Sequence, residues 1–246
     1  MAAETPIIQT PTLPHESARR SAVVIEDRVF IPGWVDDLES FRRWVRSGDM
    51  PEHGWFSYLN GEVWVDLSME QLFSHNRAKT QFTVVLGGLV EIEGMGYFFS
   101  DRTLFSNQDA AVSTEPDALF VTYDSVSSRR VRWVEGADEG YVEVEGTPDM
   151  VIEIVSKTSV RKDTVTLRKL YWRAGVCEYW LVDARGELPR FDILCHTSEG
   201  YVAAKAQEGW LRSDVFGREF RFTEQIDPLG HPQYTLAVRV SNGSSR

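Results

Sequence analysis

One carboxylate interrupts an apolar run. In GTPDMVIEIVSKTS, residues 146–159, Glu153 stands among Val151, Ile152, Ile154 and Val155, with Asp149 just before. Side chains alternate along a strand, so Asp149, Val151, Glu153, Val155 and, if the strand runs on, Lys157 share one face, while Met150, Ile152 and Ile154 share the other. A buried carboxylate left unpaired is costly, so Glu153 must meet a cation, a hydrogen-bond network or a metal. A metal needs a second acid. Asp117, after Pro116 in VSTEPDALFVT, is the natural partner if the two strands are neighbours. Clusters of hard oxygen ligands suit magnesium (Mg2+) or manganese (Mn2+).

The elements that must position these acids follow from periodicity. SAVVIEDRVFIP reads as an early strand, and VDDLESFRRWVRSG as a short helix with Asp36 or Asp37 at its start and Gly48 closing it. WFSYLNGEVWVDLS is a hairpin turning at Asn60-Gly61, which makes Glu62 by default a solvated hairpin residue. In SHNRAKTQFTVVLGGLVEIEG, Phe82, Leu86 and Leu89 recur at helical spacing behind a Ser74 cap. The same stripe traced back through Lys79 reaches His75, either a hydrogen-bonded core histidine or a ligand. GYFFSDRTLFSNQ and VSTEPDALFVT read as two strands, and Tyr123 to Glu145 as a variable loop holding a short helix or hairpin.

After the Glu153 strand come a basic helix and the strand CEYWLVDA, an order that points to a parallel crossover covered on both faces. The expected fold is α/β or α+β with a mixed central sheet flanked by helices and an added N-terminal hairpin region. The aromatic run Tyr171, Trp172, Tyr179 and Trp180 alternates between elements and reads as packing.

Composition sets the outer bounds. With 246 residues, 42% hydrophobic and 12% aromatic, the chain fits one globular domain over residues 22–240, with tails at 1–21 and 241–246. The opening residues lack the order of a signal peptide and no apolar run is long enough to cross a bilayer, so a cytoplasmic protein without membrane association is expected. Cys177 and Cys195 are too few for a disulfide framework and lack zinc spacing. A net charge of −11 excludes a protein that coats nucleic acid non-specifically, but not a local basic groove. Arg161, Lys162, Arg168 and Lys169 form such a surface if their helix borders the acids.

EPDALFV, GTPDMVIEIVSKTS, Asp163 and LYWRAGVCEYWLVDARG together resemble the Uma-type endonuclease-like family, a branch of the PD-(D/E)XK restriction-endonuclease-like superfamily. The likeness extends upstream to LNGEVWV and LFSHNRA and covers roughly residues 50–220. It implies that Asp117 and Glu153 are the two metal-binding catalytic acids, Glu62 the upstream glutamate, and His75, Asp149 and Asp163 supporting residues. It further implies a cation that activates water for in-line attack on phosphorus. The partner would be DNA, with RNA and branched DNA as alternatives, and the assembly a homodimer.

Two departures concern the lysine of that pattern. The position two residues after the second acid is Val155, and the position four residues before Tyr171 is Leu167. On an α-helix through 160–174, Asp163, Leu167, Leu170, Tyr171 and Ala174 share one side, whereas Lys162 and Lys169 point away. Lys157 is then the expected substitute, with Arg168 second. The leading expectation is a metal-dependent endonuclease. A degenerate nuclease fold serving as a binding or assembly module, and a hydrolase using paired carboxylates without metal, are the alternatives.

Overall fold

Residues 23–25, 29–51, 53–138 and 140–240 are described by the structure, a computed structural model; the two predicted tails lie outside the described residues. At the centre is a six-stranded mixed sheet in the order Gly200–Ala203, Arg190–Thr197, Glu178–Asp183, Met150–Ile154, Ala118–Thr122, Gly96–Ser100. Met150–Ile154 pairs in parallel with Glu178–Asp183 and antiparallel with Ala118–Thr122. The predicted crossover joins the parallel pair.

Each residue of Met150–Ile154 is buried, Glu153 included, because both faces of the strand are covered. On one face Met150, Ile152, Ile154 and Phe120 pack with Phe82, Leu86 and Val90 of the helix Ala78–Glu93. A three-stranded sheet, Leu211–Ser213, Arg218–Ile226 and Pro232–Val240, adds Phe220, Tyr234 and Leu236 to this cluster. On the other face Leu119, Val121 and Val151 pack with Leu167, Leu170 and Tyr171 of the crossover. At about 1.5–3 kcal/mol for each large side chain removed from water, these two clusters hold the acid-bearing strand in place despite the carboxylate.

A second six-stranded sheet lies on the crossover side, in the order Glu62–Asp66, Trp55–Leu59, Val112–Thr114, Leu104–Asn107, Tyr141–Gly146, Val131–Glu135. Its first hairpin turns at Asn60 and Gly61 with φ of 51° and 97°, as the sequence predicts. The stretches 96–108 and 112–122, each expected to be one strand, both divide between the two sheets. Asp101 and Arg102, with positive φ, make the first break and Glu115-Pro116-Asp117 the second, so Asp117 sits where the chain passes from one sheet into the other. The predicted variable loop holds a helix, Tyr123–Ser127, and the hairpin Val131–Glu135 with Tyr141–Gly146.

At the amino-terminal side the expected early strand is a pair, Val23–Ile25 against Val29–Ile31. The following helix, Leu38–Val45, is capped by Asp37, whose carboxylate accepts from the Ser40 N–H. Two segments expected to be wholly α-helical begin instead with π-helical turns. Leu72–Arg77 precedes Ala78–Glu93 and places Ser74 inside the turn rather than at a cap, and Lys162–Leu167 precedes Arg168–Arg173. Among the described residues no helix is long and apolar enough to cross a membrane. Cys177 and Cys195 are free.

Candidate active site

The register opposes Ile152 to Ala118, and Asp117, just before the Ala118–Thr122 strand, lines the same pocket as Glu153. Backbone and side-chain donors fix both. The Ile154 N–H donates to Asp117 Oδ2 at 2.7 Å, and the Tyr171 hydroxyl donates to Glu153 Oε1 at 2.6 Å. Tyr171 reaches Glu153 because the crossover helix packs against the strand face that carries Val151.

The two acids line a pocket of about 60 Å³ together with Asp66, Glu70, His75, Glu115, Lys162 and Asp163. A single water needs about 10–15 Å³, so an ion with part of its water shell fits. Six carboxylates thus converge, and the cations among them are Lys162 in the pocket and Lys79 behind it. Lys79 Nζ is 2.6 Å from Glu70 Oε1 and 3.8 Å from Asp117 Oδ1. His75 Nε2 stands 3.5 Å from Asp117 Oδ2 and its Nδ1 3.7 Å from Glu70 Oε2.

The electrostatics record the surplus of negative charge. Burial drives the Glu153 carboxyl well above its ordinary range, helped by Asp163 and Asp117 and opposed by Lys162 and the Tyr171 hydrogen bond. Burial also raises Asp117, against His75, the Ile154 N–H and Lys79, and pushes Asp163 up to about 7, against Lys162 and the Ser159 hydroxyl. Burial would lower Lys162, but Glu153, Asp163, Asp117 and Asp66 outweigh it and keep the ammonium charged. The same contest raises His75, where Glu70 and Asp117 win. Glu70, contacted by His75 and Lys79, falls to about 2.

This donor set fits a hard divalent cation. Glu70, His75 and Asp117 each offer a ligand atom within 4.8 Å of the others. His75 Nδ1 and Asp163 Oδ1 are buried without a hydrogen-bond partner among the described residues. Carboxyl groups raised by burial and mutual repulsion are the groups that a cation would return to the charged form.

Several sequence expectations need correction. The strand ends at Ile154, so Lys157 falls on an exposed turn outside the pocket. The lysine in the pocket is Lys162. On an α-helix Lys162 and Leu167 would be about 140° apart. The π-helical turn closes i→i+5 hydrogen bonds and advances less per residue, bringing Lys162 round towards Asp163 and Leu167. Glu62 is exposed and accepts from the Trp64 indole, whereas Asp66, at the far end of the same strand and with the same parity, lines the pocket. Asp149 belongs to the opposite end of its strand. There it accepts from the Thr122 N–H and the Ser125 hydroxyl and pairs with Arg130.

The basic surface divides as well. Arg161 is exposed, and Arg168 and Lys169 border a different depression with Trp172 and Glu199, where Arg168 donates to the Tyr201 carbonyl. Glu70, Glu115 and Lys79 were not assigned from sequence. Lys79 had a signal, since it lies four residues after His75 on the stripe that continues through Phe82. Glu115 shares strand parity with Asp117 but is separated from it by proline, which reads as a turn.

Comparison with known proteins places this arrangement. No curated protein matches the chain. A crystal structure described as that of "a putative nuclease belonging to DUF820" from Anabaena variabilis ATCC 29413 matches with a TM-score of 0.53 and 15% identity, covering 73% of this chain and 90% of that one. At that identity the likeness is one of fold, here restriction-endonuclease-like. Residues 38–225 match the model of the Uma2 family, described as "Putative restriction endonuclease", and on that extent this chain belongs to the Uma2 family.

Proposed function

We propose that this protein is an endonuclease that hydrolyses phosphodiester bonds of DNA with the aid of a divalent cation, magnesium or manganese. One observation carries the reading: Asp117 and Glu153 line one pocket, which also receives Lys162. Asp117 and Glu153 are the residues assigned to the cation; the ligand atoms that lie within 4.8 Å of one another are those of Glu70, His75 and Asp117, and Glu153 lines the same pocket outside that group. When bound, such a cation supplies charge neutralisation at the scissile phosphate and acidity to adjacent water.

The chain's own groups do the rest. The Ile154 N–H and the Tyr171 hydroxyl hold the two carboxylates in place, so their geometry is set before substrate arrives. Lys162 remains protonated among four acids, which suits it to stabilise charge building on phosphate oxygens and not to act as a base. Asp163, whose Oδ1 is 3.8 Å from Lys162 Nζ, adds negative charge that helps keep that ammonium protonated.

The degenerate-fold alternative rested on a missing lysine, and Lys162 in the pocket favours the active reading over it. Plasmid and oligonucleotide cleavage with manganese or with excess chelator, comparing wild type with Asp117→Asn, tests the proposal. Cutting is expected only for wild type with metal. Cutting that survives chelation would favour a metal-free hydrolase and refute the assignment.

A further inference from the structure

An aromatic cleft opens beside the acid pocket. The edge strand Gly96–Ser100 of the central sheet and the edge strand Val131–Glu135 of the second sheet carry Tyr97, Phe99 and Trp133, and the neighbouring hairpin strand adds Tyr141 and Val142. The cleft has a volume of about 490 Å³. Trp133 meets Tyr97 and Phe99 edge-on at 5.3 and 5.6 Å between centroids. Tyr97, Tyr141 and Val142 are 42%, 66% and 48% exposed, so two rings and an aliphatic side chain face solvent beside the half-buried Phe99 and Trp133.

The cleft shares a face with the acids. Phe99 pairs with Leu119 and Tyr97 with Val121, so these rings project on the same side as Leu119 and, two residues earlier, Asp117. Four residues of strand, about 13 Å, separate Tyr97 from Asp101, whose N–H donates to the Asp117 carbonyl. Arg102 joins the two sites. It lines the cleft, its guanidinium lies 5.1 Å from the centroid of the Trp55 ring, and Trp55 lines the acid pocket.

We infer that the cleft is a stacking subsite for unpaired nucleobases of a single DNA strand whose phosphate enters the acid pocket; this rests on the proposed endonuclease reading. Every base presents a π-face to rings of this kind, whereas bases in a duplex are stacked on one another and cannot reach them. Arg102 supplies the positive charge for the phosphate between the stacked base and the scissile bond. The substrate is therefore single-stranded DNA, or a flap or gap with a single-stranded arm.

Fluorescence-anisotropy titrations with manganese, using labelled single-stranded and duplex DNA of one sequence, test this in a Glu153→Gln background that separates binding from cutting. The expected result is tighter binding of the single strand, weakened by about fivefold or more in Tyr141→Ala and in Trp133→Leu, with duplex affinity unchanged. Tyr141 is exposed, so its truncation leaves folding intact. Single-strand affinity unaltered by either substitution, a preference for duplex, or a preference for RNA over DNA would overturn the inference. A homodimer that Tyr141→Ala dissociates in sedimentation would do so too, by making the cleft an interface between copies. A wild type that binds single strands through these rings yet cuts nothing with manganese would refute the endonuclease reading alone.

Discussion

Lys162 and Asp163 are consecutive in sequence, yet both line the pocket that holds Glu153, with their charged atoms 3.8 Å apart. Neighbouring residues on an α-helix are about 100° apart and do not share a target. Both lie in the π-helical turn Lys162–Leu167, and a second such turn, Leu72–Arg77, holds His75, which lines the same pocket.

Lys162 is therefore expected to matter where Lys157 does not. Lys162→Met should lower cleavage by about 10²–10³-fold, the effect of removing one preorganised donor to a transition-state oxyanion. Lys157, on its exposed turn, should be replaceable by alanine within about twofold of wild-type rates, since surface substitutions away from such features have small effects. Single-turnover kinetics on one oligonucleotide compare the two; equal losses would remove Lys162 from its assigned place.

The pocket should make stability depend on pH and metal together. Asp163, pushed up to about 7, holds its proton more tightly in the folded state than in the unfolded state, and Asp117, Glu153 and His75 are also raised. The stability such groups contribute is fully present below their unfolded values and is lost as pH rises through the folded ones. For Asp163 that window runs from about 4 to about 7. The metal-free protein should thus melt lower at pH 8 than at pH 6. A cation competes with those protons, so saturating manganese should raise the melting temperature by about 5–10 °C at pH 8 and by less at pH 6. Calorimetric scans in chelator and in manganese check both signs.

Tyr171→Phe removes the phenol that donates to Glu153 Oε1 but keeps the ring packed near Phe105 and Tyr179. The buried acid loses a partner, which should cost about 1.5–3 kcal/mol in denaturant unfolding. The cleavage rate should fall with it, because Glu153 is no longer held in one rotamer. Unchanged stability would mean that the phenol does not hold the acid.

Glu62 and Asp66 divide what sequence parity alone leaves together. Glu62→Ala should leave activity and melting unchanged, since its carboxylate is on the surface. Asp66→Ala should lower activity, because Asp66 accepts from the Ser68 N–H and the Thr158 hydroxyl and so ties the hairpin to the loop that follows the Glu153 strand. Cleavage and melting curves of the two variants decide between them.

How much could be read beforehand follows from the range of each signal. The hairpin followed from alternation around Asn60-Gly61, the Glu153 strand from its short apolar run, and its parallel partner from the order strand, helix, strand, all signals that act over a few residues or elements. That Asp117 and Glu153 line one pocket needed only that their strands be neighbours. The division of 96–108 and 112–122 between two sheets was hidden, because a break within an apolar stretch leaves its periodicity almost intact. Lys162 was misplaced for a sharper reason: an assumed step of about 100° per residue fails where the helix closes i→i+5, and one such turn rotates every residue before it.

The central claim is that one pocket, built on Asp117 and Glu153, both holds a divalent cation and cuts a phosphodiester. Its most direct test is strand scission in manganese by wild type and Glu153→Gln, with both proteins first shown to share the same far-ultraviolet circular dichroism and to melt within a few degrees of each other. The account predicts scission by wild type and none by Glu153→Gln, whose fold persists. Equal scission by the two proteins would contradict it.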